Sequence, residues 1–170
     1  MGILFSVLRL ISMESASEFL FKRMVDIVLD AQEKIKNIKE YASASREAEG
    51  DVVLELLAFS YFTASKIIAT KLGNRKNTKE ILTLLFEKII ADITQHKNAR
   101  LKYHTFHDYF DQVFSEHCED YEKYDINVGS RRRIATIVTG KIARIYGNKN
   151  PNELIHIIDR LFMNIVRLVS

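Results

Sequence analysis

An all-α fold, a helical bundle around a central hydrophobic helix at about 127–147, is what this 170-residue chain predicts, and three observations carry it. Apolar residues recur at helical spacing where strands would alternate, the single proline and six glycines leave long uninterrupted segments, and several of those segments open on N-cap signals. With 47% hydrophobic and 28% charged residues, the chain suits one core in one domain, 14–170, preceded by an apolar segment, 1–13. Cys118 is the single cysteine, so no internal disulfide is expected and a reducing compartment is the default. A net charge of +3 is too small to imply nucleic acid.

The N-terminal segment, M-G-I-L-F-S-V-L-R-L-I-S, is too short for a bilayer span, which takes about 20 apolar residues. Arg9 interrupts the apolar run, unlike a signal peptide. Three readings stay open: an amphipathic helix on the domain or a partner, a membrane contact through the myristoylation-like Met-Gly-x-x-x-Ser, or a natural start at Met13.

A long amphipathic helix is expected from Ser17 to Ser43, with Leu20, Met24, Ile27, Val28, Ala31, Ile35 and Ile38 on one face. S-A-S-R-E-A-E-G reads as a hinge ending at Gly50, after which Asp51 caps a helix to Leu72 that is apolar on most of its circumference and therefore buried. Its Phe59, Tyr61 and Phe62 read as core aromatics. Asn77 with Glu80 makes a capping-box start for the next helix, which carries Ile81, Leu82, Leu85, Phe86, Ile89, Ile90 and Ile93. Thr105 opens a helix with Phe106, Phe110, Val113, Phe114, His117 and Tyr121 in register. Asn150-Pro151-Asn152-Glu153 opens the last one, whose stripe is Leu154, Ile157, Ile158, Leu161, Ile165 and Leu168.

Between these lies N-V-G-S-R-R-R-I-A-T-I-V-T-G-K-I-A-R-I-Y-G, Asn127 to Gly147, a buried stripe of Ile134, Ile137, Val138, Ile142 and Ile145 with a cationic head. Gly140 costs roughly 1 kcal/mol against alanine inside a helix, so it is expected where another backbone comes close. Thr105 to Asp125 holds seven acids against Lys123, a net of −6, while Ser130 to Lys149 holds six cations and no acid, a net of +6. Two readings stay open: the helices screen one another, or an arginine is kept for a partner's carboxylate.

Chemistry-bearing motifs are scarce. His96, His104, His107 and His117 lie near Cys118 without the spacing of a metal site. No G-x-S-x-G elbow or Gly-rich phosphate loop occurs. The expectation is no enzyme, no metal, no cofactor and no nucleic-acid partner.

The run F-D-Q-V-F-S-E-H-C-E-D (Phe110 to Asp120), then Asn127-Val128-Gly129, then R-I-A-T-I (Arg133 to Ile137) resembles the Bcl-2 family. There an acidic helix precedes Asn-Trp-Gly-Arg and a central helix that begins Arg-Ile-Val-Thr or similar. L-F-M-N at Leu161 to Asn164 also resembles the family's following helix, and the likeness covers about half the chain, Thr78 to Val169. It implies a groove that takes the amphipathic BH-3 helix of a pro-apoptotic partner. By position, Val113 and His117 line one wall, Asn127, Gly129 and one of Arg131, Arg132 and Arg133 form the rim, and Thr136 and Gly140 the floor. Leu82, Leu85, Phe86 and Ile89 form the opposing wall. Arg133 leads among the arginines because the helix after it aligns without gaps. Val128 replaces the motif tryptophan, three residues separate the turn from R-I-A-T, and the Gly-Trp region and C-terminal anchor are missing. Such compact, divergent chains are most similar to viral Bcl-2-like apoptosis inhibitors of the host cytoplasm or mitochondrial outer membrane. Some of those instead block innate immune signalling by binding adaptors, as scaffolds or homodimers.

Overall fold

In the computed structural model, which describes residues 12–73, 76–95 and 130–170, Ser12 opens the first helix by accepting a hydrogen bond at Oγ from the Ser15 amide, 3.2 Å away. Helix α1 runs Met13–Lys36, with Glu14 in its first turn and Lys34 and Lys36 in its last, signs that complement the helix dipole. Its inward row, Ala16, Leu20, Met24, Val28, Ala31 and Ile35, keeps helical spacing and is buried. The helix stops seven residues short of the expected Ser43. Tyr41 is the physical reason: the chain turns after Asn37, and the Tyr41 ring enters the core, 1% exposed, where a continued helix would have carried it outward.

Helix α2, Arg46–Leu72, starts five residues before the expected cap. Ser45 takes that role, its Oγ accepting from the Ala48 amide, and Glu47 and Glu49 favour the positive helix end. Gly50 and Asp51 therefore lie inside the helix, and the connection falls at 37–45 instead of the expected 43–50. Gly73, with φ of +70°, ends the helix in the left-handed region. The helix is long and apolar enough to cross a membrane, but 56% of its most apolar window is buried inside the bundle.

Helix α3, Lys76–Gln95, begins one residue before the expected Asn77 and buries Ile81, Leu85, Ile89 and Ile93 at four-residue spacing. Helix α4, Arg131–Ile145, buries Ile134, Ala135, Val138, Thr139, Ile142 and Ala143. Gly147 (φ +80°) and Asn148 (φ +62°) turn the chain after it, and the Lys149 amide donates back to the Ala143 carbonyl. Asn150 then caps a 3-10 turn, Pro151–Glu153, through its Oδ1, and helix α5 follows, Ile155–Val169.

Among the described residues there is no strand, and 84% are helical, as the sequence predicts. Helix α2 packs against α1, α3, α4 and α5, while α1 also packs on α3 and α5. Helix α4 rests on α2, α5 and the 3-10 turn. Among the described elements the hub is thus α2 rather than the 127–147 stretch, because α2 is apolar around most of its circumference and α4 carries a cationic side. One core cluster runs through all five helices, with Phe59 of α2 stacked on Phe162 of α5 at 6.3 Å. Residues 1–11, most of the apolar N-terminal segment whose three readings stay open, and the acidic stretch 105–125 lie outside the described residues.

A side-chain lock joins the α1–α2 connection to the α4–α5 connection. Tyr41 Oη donates to the Asn150 carbonyl at 2.6 Å, and its ring meets Tyr146 edge-on at 4.9 Å. Nearby, Lys36 pairs with Glu49 at 3.1 Å and Gln32 reaches the Glu49 carbonyl. Burial pushes both phenols up, Tyr146 to about 12, with Glu49 and Tyr41 adding to the effect on Tyr146.

Candidate partner-binding face

The arginine head sits at the N-terminus of α4, where the helix dipole is positive and the first turn holds no acid. Ser130 precedes it without making a side-chain cap. Local rules are therefore violated at this point, which is a common mark of a functional or specially compensated site.

Helical geometry separates the three arginines. Arg131 shares the inward side with Ile134, Ala135 and Val138 and is half-buried. Its Nε lies 2.6 Å from Asp159 Oδ1 of α5, with 30% and 27% of the two side chains exposed. That oxygen is shielded from water yet has no aligned hydrogen bond, so the contact is a charge pair rather than a bidentate fork. Arg132 and Arg133 are exposed. The outward row of α4 continues from Arg133 through Ile137 and Gly140 to Arg144, at steps of three and four residues that keep one face. Thr136 flanks this row, exposed, with its hydroxyl donated to the Arg132 carbonyl at 2.9 Å.

Gly140 departs from expectation. No described atom comes within 4 Å of the position a Cβ would take, so the close approach expected there is not made by any described element. The buried rows of α4 lie on its other side, against α2 and α5, and Gly140 looks outward instead. Its carbonyl accepts a hydrogen bond from Arg144 Nε at 3.2 Å.

The opposing wall is divided by burial. Leu85 (0% exposed) and Ile89 (6%) are core residues of α3 rather than groove surface. Leu82 and Phe86 are half-buried and lie against α2, where Tyr61 meets the Phe86 ring at 5.7 Å and donates its hydroxyl to the Leu82 carbonyl at 3.3 Å. Helices α3 and α4 form no packed interface with each other, and α2 is their common neighbour. Val113, His117, Asn127 and Gly129 lie outside the described residues.

Asp159 was not singled out by sequence reasoning. The one available signal is that it is the single acid of the last helix, next to the core residue Ile158. Elsewhere, Lys88 of α3 joins Glu14 (2.6 Å) and Glu18 (2.9 Å) of α1. The hydrogen bond from Lys88, then that from Lys22, holds the Glu18 carboxyl below its ordinary range, and Glu14 followed by Glu18 raises Lys88. Among the described residues no group of three or more His, Cys, Asp or Glu side chains could hold a metal.

No protein-family model, curated protein or solved structure matches the chain.

Proposed function

We propose that the chain is an anti-apoptotic, Bcl-2-like protein that takes the BH-3 helix of a pro-apoptotic partner in a surface groove and so blocks host cell apoptosis. The observation that carries this reading is the outward face of α4. Exposed arginines stand at its head, and Thr136 and Gly140 follow, the latter with no described atom within 4 Å of its Cβ position, on a helix whose other side is buried in an all-α bundle. Such a face suits a helix-in-groove partner whose carboxylate meets an arginine and whose backbone approaches closely at glycine. Arg131 faces inward to Asp159, while Arg133 stands on the outward row, which supports a register with Arg133 at the rim. The partner would bring the protein to the mitochondrial outer membrane from the cytoplasm.

Calorimetric titration with a panel of BH-3 peptides tests the reading. Heat of binding with at least one peptide is expected, and none at tens of micromolar (~10–50 μM, a Kd weaker than about −6 kcal/mol) refutes it. Within a binding pair, Arg133→Ala is expected to cost about 2–5 kcal/mol, because the ligand carboxylate is left desolvated and unpaired. Loss on Arg131→Ala with none on Arg133→Ala would show that the register is wrong.

A second reading, a Bcl-2-like scaffold or homo-oligomer that inhibits innate immune signalling by binding adaptors, draws on the burial of Leu85 and Ile89, which narrows the wall available to a ligand helix. A monomer by light scattering that binds the peptides counts against it.

A further inference from the structure

The end of the bundle where α2 gives way to α3 collects positive charge. From Leu56 to Lys79 the chain holds Lys66, Lys71, Arg75, Lys76 and Lys79 and no acid. Helix α5 ends beside this hairpin, its Ser170 carbonyl accepting from Lys71 Nζ at 3.5 Å. In the terminal two turns of these three helices, Glu80 is the single acid against Lys66, Lys71, Lys76, Lys79 and Arg167.

Helix stability accounts for only part of this charge. Lys66 and Lys71 complement the negative end of the α2 dipole, and Lys66 also lies over the Phe62 ring at 5.3 Å. Lys76 and Lys79 do the opposite. They stand in the first turn of α3, at the positive end of its dipole, and that turn holds no acid, whereas α1 opens on Glu14 and α2 on Glu47 and Glu49. Cations at a helix start are unfavourable, so two of them there call for a use outside the helix. On α1 and in the middle of α3 the lysines are matched, since Lys22, Lys34, Lys36 and Lys88 each meet a carboxylate. Lys66, Lys76, Lys79 and Arg167 are exposed, and no carboxylate pairs with them among the described residues.

The chemistry of the patch selects its partner. It is rich in lysine, a compact point charge suited to phosphate, rather than in the arginine fork that grips one carboxylate. It caps a helical hairpin, which projects instead of forming a groove, so it fits a broad charged plane better than a peptide. The half-buried aliphatic residues Ile67 and Leu72 border it, and the same turns hold no aromatic ring to stack on a nucleic-acid base.

We propose that the α2–α3 end docks on an anionic membrane surface, with Lys66, Lys76, Lys79 and Arg167 facing the lipid headgroups. Each cation near such a surface contributes about fivefold in affinity. The inference is independent of the groove reading and uses no residue of the α4 face.

Flotation of the full chain with vesicles tests it, using phosphatidylcholine alone and with about one third phosphatidylserine. The wild type is expected to bind the anionic vesicles at low salt, and to leave them in ~1 M salt or when the lipid is neutral. Lys76→Gln with Lys79→Gln should weaken binding about 20- to 30-fold, two cations at about fivefold each. Its thermal midpoint should stay level or rise, because the start of α3 loses two unfavourable charges. Lys22→Gln with Lys34→Gln, the same charge change on α1, should bind as the wild type does. No binding of the wild type to anionic vesicles, equal binding to neutral ones, full binding by the α3 variant, or equal weakening in both variants overturns the proposal. So does a DNA duplex that binds the wild type as tightly as the anionic vesicles at the same salt, since the patch would then take any polyanion.

Discussion

Tyr41 and Tyr146 form one edge-on ring pair, but their hydroxyls are in opposite circumstances, so the same chemical deletion should have opposite signs at the two positions. Tyr41 Oη donates to the Asn150 carbonyl at 2.6 Å. Tyr41→Phe removes that bond, and because Asn150 is exposed, water can take over its carbonyl. The expected loss is therefore that of one ordinary hydrogen bond, about 1 kcal/mol. Tyr146 Oη is buried without a hydrogen-bond partner among the described residues, in a residue 9% exposed. An unsatisfied buried hydroxyl costs about 1–3 kcal/mol, and Tyr146→Phe relieves that cost while keeping the ring contact at 4.9 Å. A gain of about 1 kcal/mol is expected. The chain has no tryptophan, so urea denaturation is best followed by circular dichroism of the helices. With a urea slope of about 2 kcal/mol/M, the two midpoints should separate by roughly 1 M, with the wild type between them. If Tyr146→Phe is destabilised as much as Tyr41→Phe, the hydroxyl has a partner and the reasoning fails.

Further expectations concern pH, the glycine gap and the ion-pair network. The folded pKa of Tyr146, about 12, lies above its ordinary 10.0, so the folded state holds its proton more tightly. Its contribution is complete below pH 10, is lost as pH rises towards 12, and should be absent from the alkaline melting profile of Tyr146→Phe. Gly140→Ala should raise the thermal midpoint, with a gain of about 1 kcal/mol, because nothing described occupies the Cβ position. In the same variant the tightest BH-3 peptide should bind more weakly if a ligand backbone uses the gap, and equal affinity removes Gly140 from the floor. Glu18 is held below its ordinary value of 4.5, so its contribution is present above that pH and is lost as pH falls through the lowered value. Because the Glu18 carboxylate is largely open to water, Glu18→Gln should flatten the acid limb only slightly in urea titrations, and molar salt should hide the difference.

The helical class was legible because buried rows such as Ile81, Leu85, Ile89 and Ile93 keep their period without help from distant contacts. Helix ends were harder. Ser45 and Asp51 are both acceptable caps by residue type, and the choice was decided by Tyr41, whose burial against Tyr146 and Asn150 pulls the chain out of α1 early enough for Ser45 to start α2. That contact is invisible to local pattern. The arginine head was legible as a charge anomaly, but its division was not. Arg131 is tied to the inward side by Asp159 brought across from α5, whereas in sequence the three residues between the Asn-Val-Gly turn and R-I-A-T leave all three arginines in competition, with Arg133 leading. Gly140 was read as a packing residue because mid-helix glycine usually is one, and its outward aspect follows from which rows α2 and α5 bury. Leu85 and Ile89 share their helix with Leu82 and Phe86, and a face wide enough to fill a core and line a groove looks the same in sequence for both duties.

The Tyr41–Asn150 bond has a kinetic meaning as well. It joins groups 109 residues apart in the chain. Closing so long a loop carries an entropic cost that must be met before the contact contributes, so this lock belongs to the last stage of folding rather than to its nucleus. Its loss should then leave the folding rate nearly unchanged and speed unfolding by about fivefold for 1 kcal/mol, the behaviour of a contact absent from the transition state. The lifetime of the native bundle, more than the speed of its formation, is what this one hydroxyl sets.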